Sequence, residues 1–250
     1  MPGAESAFRL DGRVALITGA ARGIGAEIAR VMSALGARVA LADVLPDGAW
    51  EAGPGAAVRM SLDVVSTASC ERAVAEAARR LGGLDILVNN AGVNARQTAE
   101  ATDDDTWSRL IDTNLTGAFR MARASFPHLA KSGAGAIVNV ASTGSIVAIR
   151  NNVPYCVSKA GLAHLTRVLA LDWADRGVRV NAVAPTIVPT DMTAEIRADA
   201  DYISAKMATI PMGCLPSTTD VANAVAFLAS AAAGMITGQV LAIDGGVLTQ

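Results

Sequence analysis

Residues 14–28 read VALITGAARGIGAEI. Val14–Thr18 is a run of β-branched and aliphatic side chains without polar alternation, which suits a strand covered on both faces. The run breaks into a turn holding Gly19, Gly23 and Gly25, then continues in sequence of helical character. Glycine lets backbone approach a bound group closely, and the free amides and dipole at a helix start favour an anion there. Strand, glycine turn and helix in that order predict an anion-binding corner of a parallel α/β sheet. The spacing is not the common GxGxxG, and a glycine-rich turn can also be simply a tight connection.

Outward from this corner, short apolar runs alternate with helical stretches at residues 38–42, 57–62, 84–89, 136–141, 179–184 and 240–243. Together with the first run they predict seven strands. The fold class expected is α/β, a doubly wound, Rossmann-type parallel sheet with helices on both faces. No repeat, linker or shift of composition divides residues 1–250, so one domain is expected. Residues 186–216 are the least regular stretch, punctuated by Pro189, Pro211, Gly213 and Pro216, and read as a functional loop, a lid over the substrate.

The composition narrows the partners. Of 250 residues, 52% are hydrophobic and 18% charged, with a net charge of −2. A disordered chain is excluded, and no basic patch suggests nucleic acid or an anionic membrane. Small-molecule partners are favoured. Cys70, Cys156 and Cys214 form no CxxC pair, so neither a disulfide framework nor a metal site is indicated. With no secretory pattern at the start, a cytoplasmic location is expected. Residues 221–243 carry no charge, but Asn223, Ser230, Gly234, Thr237, Gly238 and Gln239 interrupt them, so a packed helix, a turn and a buried strand are expected rather than a membrane span.

Chemistry concentrates at a few positions. Asp43 ends the second strand about 20 residues beyond the glycine turn, where a carboxylate can accept both ribose hydroxyls of NAD and would repel a 2′-phosphate. Arg22, in the turn itself, could pair with such a phosphate; the carboxylate is expected to prevail, and the cofactor expected is NAD. Tyr155 and Lys159 lie four residues apart in a helix that Pro154 can start, so they share a face. A nearby ammonium favours the phenolate, so Lys159 is expected to lower the Tyr155 pKa and make the tyrosine an acid/base. Ser142 closes the fifth strand and can donate to a substrate oxygen.

These motifs together resemble the short-chain dehydrogenase/reductase family of the Tyr/Lys type, from about residue 10 to 246. The resemblance implies hydride transfer between a nicotinamide and a secondary alcohol or ketone, with Asn114, Ser142, Tyr155 and Lys159 as catalytic residues. Asn114, within WSRLIDTNLTGAF, matches the family asparagine that holds a water next to the lysine. The turn TGAARGIG, with Gly19, Arg22, Gly23, Ile24 and Gly25, would bind the pyrophosphate. Asp63 of SLDV would meet the adenine amino group beside Val64, and NNAG, with Asn90, Ala91 and Gly92, would line the cofactor. In APTIVPTDM, after Pro185, Val188 and Thr190 would bind the nicotinamide carboxamide. Thr186 stands where the family usually has glycine, which puts the local backbone shape in question.

The opening FRLDG, the phrase WADRGVRVNA and the stretch from Thr186 to Met212 look most like dehydrogenases of polyols and sugar alcohols. Ser142, Asn152, Tyr155, Thr186 and Met192 are the candidate substrate contacts, with Arg150 and Asn151 as further polar groups nearby. Two alternatives stand beside this reading: a 3-oxoacyl carrier-protein reductase, and a non-catalytic protein that senses dinucleotide. Family resemblance and the apolar helix around residues 154–176 imply a homotetramer. His128, His164, Cys156, Trp107 and Trp173 are given packing roles.

Overall fold

The computed structural model describes residues 4–45 and 57–249. Residues 1–3 of the stretch inspected for a secretory pattern lie outside them. After a short α1 (Ala4–Ala7), β1 (Val14–Thr18) leads through the glycine turn into α2 (Gly23–Ala34). β2 (Arg38–Asp43) and β3 (Val58–Ser61) follow, then α3 (Thr67–Leu81) and β4 (Ile86–Asn89). Next come α4 (Asp104–Ile111), a π-helical turn (Asp112–Thr116), α5 (Gly117–Ser132) and β5 (Gly135–Val140). α6 (Val153–Trp173), β6 (Val178–Pro185), α7 (Ala194–Ala198), α8 (Ala200–Ala208), α9 (Thr218–Ala229) and β7 (Val240–Ile243) complete the order.

All seven strands join one parallel sheet in the order β3-β2-β1-β4-β5-β6-β7. Every residue of β1, β4 and β5 is buried, in keeping with their largely apolar sequence, whereas the edge strands β3 and β7 are partly exposed. Two cores sandwich the sheet. On one face Ile28 and Met32 of α2 meet Val221, Val225 and Leu228 of α9. On the other, Val74 of α3, Met121 of α5 and Leu169 of α6 close the layer. The chain reverses direction between β1 and β4, and there the loops after both strands leave a crevice at their carboxyl ends.

One expectation needs correction and a second is met. Residues 186–216 are not wholly irregular, since α7 and α8 lie within them. These helices are short and bury no residue, so they leave no apolar period in the sequence. The uncharged stretch 221–243 becomes most of α9, a 3₁₀ turn and β7, and no helix among the described residues is long and apolar enough to cross a membrane.

Candidate active site

The crevice is a cavity of about 910 Å³ lined by the glycine turn, the ends of β2 and β4, and the segment after β6. Its floor is built from backbone. A Cβ placed on Gly25 would fall 2.2 Å from the Gly19 carbonyl oxygen and 2.6 Å from Asn90 Nδ2, so only glycine lets the turn close. Gly19 itself has a φ of +64°, in the left-handed region where glycine is favoured. Asn90 Nδ2 donates to the carbonyls of Thr18 and Gly19, while Thr18 Oγ1 accepts the amides of Asn90 and Ala91. Thr18 was not singled out in the sequence; a hydroxyl ending an otherwise apolar strand is the signal that could have found it.

Asp43 is buried at the carboxyl end of β2. Its Oδ2 accepts the Ala21 amide at 2.9 Å and its Oδ1 the Leu45 amide at 3.0 Å. Each oxygen keeps a lone pair for a further donor. Ile24, Asp63, Val64, Asn90, Ala91, Gly92 and Thr190 line the same cavity, as do Arg22, Gly23 and Met192. A cradle without side chains beside a carboxylate that can take hydroxyls fits a dinucleotide.

Arg22 turns away from Asp43. Its guanidinium pairs with Asp191 at 2.7 Å, and both side chains are more than half exposed. Arg197 donates to the Thr190 carbonyl and Thr193 Oγ1, which holds the segment after β6 to itself, and the Arg22–Asp191 pair joins it to the glycine turn. Val188 is buried, and its carbonyl accepts the Thr193 hydroxyl. Pro185 ends β6, and Thr186 donates its amide to Ile243 at 3.2 Å. Asn151 is the one non-glycine residue described with positive φ, so Thr186 occupies backbone that any residue can adopt and the question its β-branch raised is answered.

The reacting groups meet beside this cavity. Ser142 follows β5 and accepts the Gly144 amide at 3.1 Å; its hydroxyl also hydrogen-bonds to Tyr155. Lys159 is buried and donates to the Val140 carbonyl at 2.8 Å, with Nζ 5.7 Å from the Tyr155 ring centre. Burial lowers the Lys159 pKa to about 8. Burial also raises the Tyr155 pKa, and the hydrogen bond from Ser142 only partly opposes this. The lowering expected from Lys159 is thus corrected in direction: desolvation of the phenol is the largest influence on it.

Asn114 sits in the π-helical turn, a feature frequent at functional sites. Its Oδ1 accepts the Val93 amide, while Nδ2 donates to the Val93 carbonyl and to Ser158 Oγ. Ser158 donates onward to the Tyr155 carbonyl. Asn114 therefore ties the loop after β4 to the helix carrying Tyr155 and Lys159. Ser158, unremarked in the sequence, lies one turn beyond Tyr155.

Of the polar groups before α6, Asn152 is buried while Arg150 and Asn151 face solvent. Of the tryptophans given packing roles, Trp173 packs against Phe126 with the rings tilted by 31°, whereas Trp107 is 39% exposed.

Comparison with known proteins agrees with this geometry. Residues 19–248 match the family model described as enoyl-(acyl carrier protein) reductase. The chain is 42% identical to D-threitol dehydrogenase of Mycolicibacterium smegmatis, over 96% of this chain and 94% of the relative. It is 41% identical to galactitol 2-dehydrogenase (L-tagatose-forming) of Cereibacter sphaeroides, over 97% of both. A gluconate 5-dehydrogenase from Burkholderia cenocepacia, solved in complex with NADP and tartrate, superimposes with a TM-score of 0.92 at 34% identity, over 99% of each chain. With the Tyr155–Lys159 pair at the end of a parallel sheet and likeness running the length of the chain, this protein belongs to the short-chain dehydrogenase/reductase family, as an alcohol dehydrogenase/ketoreductase.

Proposed function

We propose that the enzyme uses NAD and interconverts a secondary alcohol of a polyol or sugar alcohol with the corresponding ketone. The observation that carries the reading is the buried Asp43 carboxylate in a cavity also lined by Gly92, where a Cβ would fall 3.4 Å from Lys159 Nζ, so the carboxylate and the Tyr155–Lys159 pair border one crevice. Bound there, the nicotinamide supplies the hydride acceptor for oxidation and the donor for reduction. Ser142 orients the substrate oxygen, and Tyr155 Oη takes its proton in oxidation or returns it in reduction. Lys159 supports the phenolate once Tyr155 gives up its proton.

Because burial keeps the phenol protonated, oxidation requires the deprotonated tyrosine and its rate rises with pH, while reduction is favoured at lower pH. Asn152, Thr186 and Met192 border the substrate, with residues 186–216 as a lid in one catalytic domain. Free cysteines and the likeness to metabolic dehydrogenases support a cytoplasmic enzyme. Val157, Val168 and Leu171 expose apolar surface along α6, which supports a homotetramer. The test is kcat/KM for NAD against NADP, with polyols and simple secondary alcohols as substrates. A preference for NADP overturns the role of Asp43, and equal turnover of both alcohol classes overturns the polyol assignment.

A further inference from the structure

A chain of polar groups crosses the layer in which Ile137 of β5 and Leu169 of α6 are buried among aliphatic neighbours. Its members, Asn89 of β4, Asn139 of β5 and Thr166 of α6, are themselves buried. Asn89 Nδ2 donates to Asn139 Oδ1 at 2.9 Å and to the Ala118 carbonyl of α5. Asn139 Nδ2 donates to Thr166 Oγ1 at 2.9 Å, and the Thr166 hydroxyl donates to the Leu162 carbonyl one turn back. Stability does not account for this chain. Exchanging both partners of a buried hydrogen bond for apolar groups of the same shape can be neutral or stabilising. Asn89 Oδ1, moreover, has no partner among the described residues, and a partly satisfied network is worse than an apolar core.

Its place in the fold offers a reason. Asn139 directly precedes Val140, whose carbonyl accepts Lys159 Nζ, and Thr166 lies seven residues, about two turns, beyond Lys159 on the same helix face. The order is reversed between strand and helix because α6 runs back between the parallel strands β5 and β6. Lys159 alone fixes little, since its flexible four-carbon stem reaches Val140 from a range of helix positions. Apolar contact is non-directional and fixes little more. Asn139 and Thr166 are short, and their bond survives only within a narrow range of distance and angle. We infer that the Asn139–Thr166 hydrogen bond is a positioning device for the reaction, setting where α6 lies along β5 and so where Tyr155 and Lys159 stand relative to Ser142, which follows the same strand. This rests on the reading of Tyr155 and Lys159 as the reacting groups. Neither Asn139 nor Thr166 lines the cavity, so both act through the groups they place.

Three variants and a control test it. Thr166→Val exchanges the hydroxyl for a methyl, and Thr166→Ser keeps the hydroxyl. Asn139→Leu/Thr166→Val makes both partners apolar while Asn89 Nδ2 keeps the Ala118 carbonyl. Single-turnover oxidation of threitol, or of sec-butanol where wild type turns that over faster, is followed by the absorbance of the reduced nicotinamide. At saturating cofactor and substrate, hydride transfer should slow by about 10–10²-fold in Thr166→Val and in the double variant, the scale of loss for a small misplacement. KM for cofactor and substrate should stay near wild type, and Thr166→Ser should restore most of the rate. The double variant should also keep a Tm close to wild type, which separates misplacement from instability. Val74→Ala, on α3 in the same core, should lower Tm and leave the rate unchanged. An unchanged rate in Thr166→Val, a loss that Thr166→Ser does not restore, or an equal loss in Val74→Ala assigns the chain to structure and overturns the inference. Should the double variant not fold, the two single variants at Thr166 decide by the same outcomes. Turnover retained in Tyr155→Phe removes the reading beneath the inference, whereas turnover lost there and kept in Thr166→Val removes the inference alone.

Discussion

The two halves of the cleft treat their polar groups in opposite ways. Around the glycine turn, Thr18, Asp43 and Asn90 each spend their side chains on nearby backbone, and the surface offered to a ligand is largely main chain. Around Tyr155 the protein holds a buried ammonium, a phenol whose pKa burial raises, and amide oxygens with no partner among the described residues. One half is satisfied within the fold; the other leaves buried polar atoms that no described residue pairs. Stability and activity should therefore part company across the cleft, because reactive sites violate local rules that the rest of the fold obeys. Substitutions in the cradle should lower both, and substitutions on the reaction side should lower turnover while leaving stability level or higher.

The largest effect expected is from Tyr155→Phe. Removing the proton carrier should lower kcat by about 10²–10⁴-fold, or roughly 3–5 kcal/mol of barrier, while NAD binding and Tm stay near wild type. Steady-state kinetics with cofactor titration by fluorescence checks this. Substantial turnover in the variant would show that Tyr155 does not carry the proton.

Gly25→Ala tests the other half. The new methyl would lie 2.2 Å from the Gly19 oxygen, a backbone atom that cannot rotate aside. Overpacking of this kind costs about 1–3 kcal/mol. The variant should lose both NAD affinity, by tenfold or so, and thermal stability. A variant that keeps its Tm and loses only turnover would break the contrast between the halves.

How much of this could be read from the sequence follows the same division. The strands were legible because VALIT and its counterparts are apolar on both faces, and the structure moves their ends by only a residue or two. The cradle was legible because glycine at positions 19 and 25 records a backbone constraint that no other residue meets. Tyr155 and Lys159 announced themselves by helical spacing. What stayed hidden depends on how side chains of distant segments turn toward one another. Asn139 and Thr166 read as ordinary polar residues of a strand and a helix until the two are seen hydrogen-bonded. The sign of the Tyr155 shift was misjudged because burial depth is a property of the assembled layers, not of the YxxxK spacing. The helices after β6 were missed because contacts such as Arg197 with Thr190 hold them, not an apolar stripe.

Lys159 sharpens the contrast through pH. Its pKa falls from 10.5 to about 8 on folding, so between these values the unfolded chain holds more proton than the folded one. Wild-type stability at this position is therefore poorest below pH 8 and improves as pH rises toward 10.5. Lys159→Met removes the buried charge, and should be more stable than wild type at neutral pH by on the order of 2 kcal/mol while being nearly inactive. Denaturant unfolding of both proteins across this range should show the gap closing as pH rises. Comparing the two proteins matters, because burial raises the Cys70 pKa to about 11 and acts in the opposite direction in both.

The smallest effect expected lies where the two halves touch, at the ion pair between Arg22 of the glycine turn and Asp191 of the segment after β6. The pair is short, 2.7 Å, but both side chains are more than half exposed. Exposed pairs are worth about 0.2–1 kcal/mol and are screened by salt. Asp191→Asn should therefore leave Tm almost unchanged. Its consequence should appear in cofactor choice, because the freed Arg22 could then reach a 2′-phosphate. Asp43 still stands at the ribose end, held by the Ala21 and Leu45 amides, and still opposes that phosphate. The kcat/KM ratio of NADP to NAD should thus rise by no more than about fivefold, the ceiling set by the energy of an exposed pair. The increase should shrink in half-molar salt. A rise of a hundredfold would mean that Asp191, rather than Asp43, had been holding the phosphate out, and would move cofactor selection from the satisfied half of the cleft to the other.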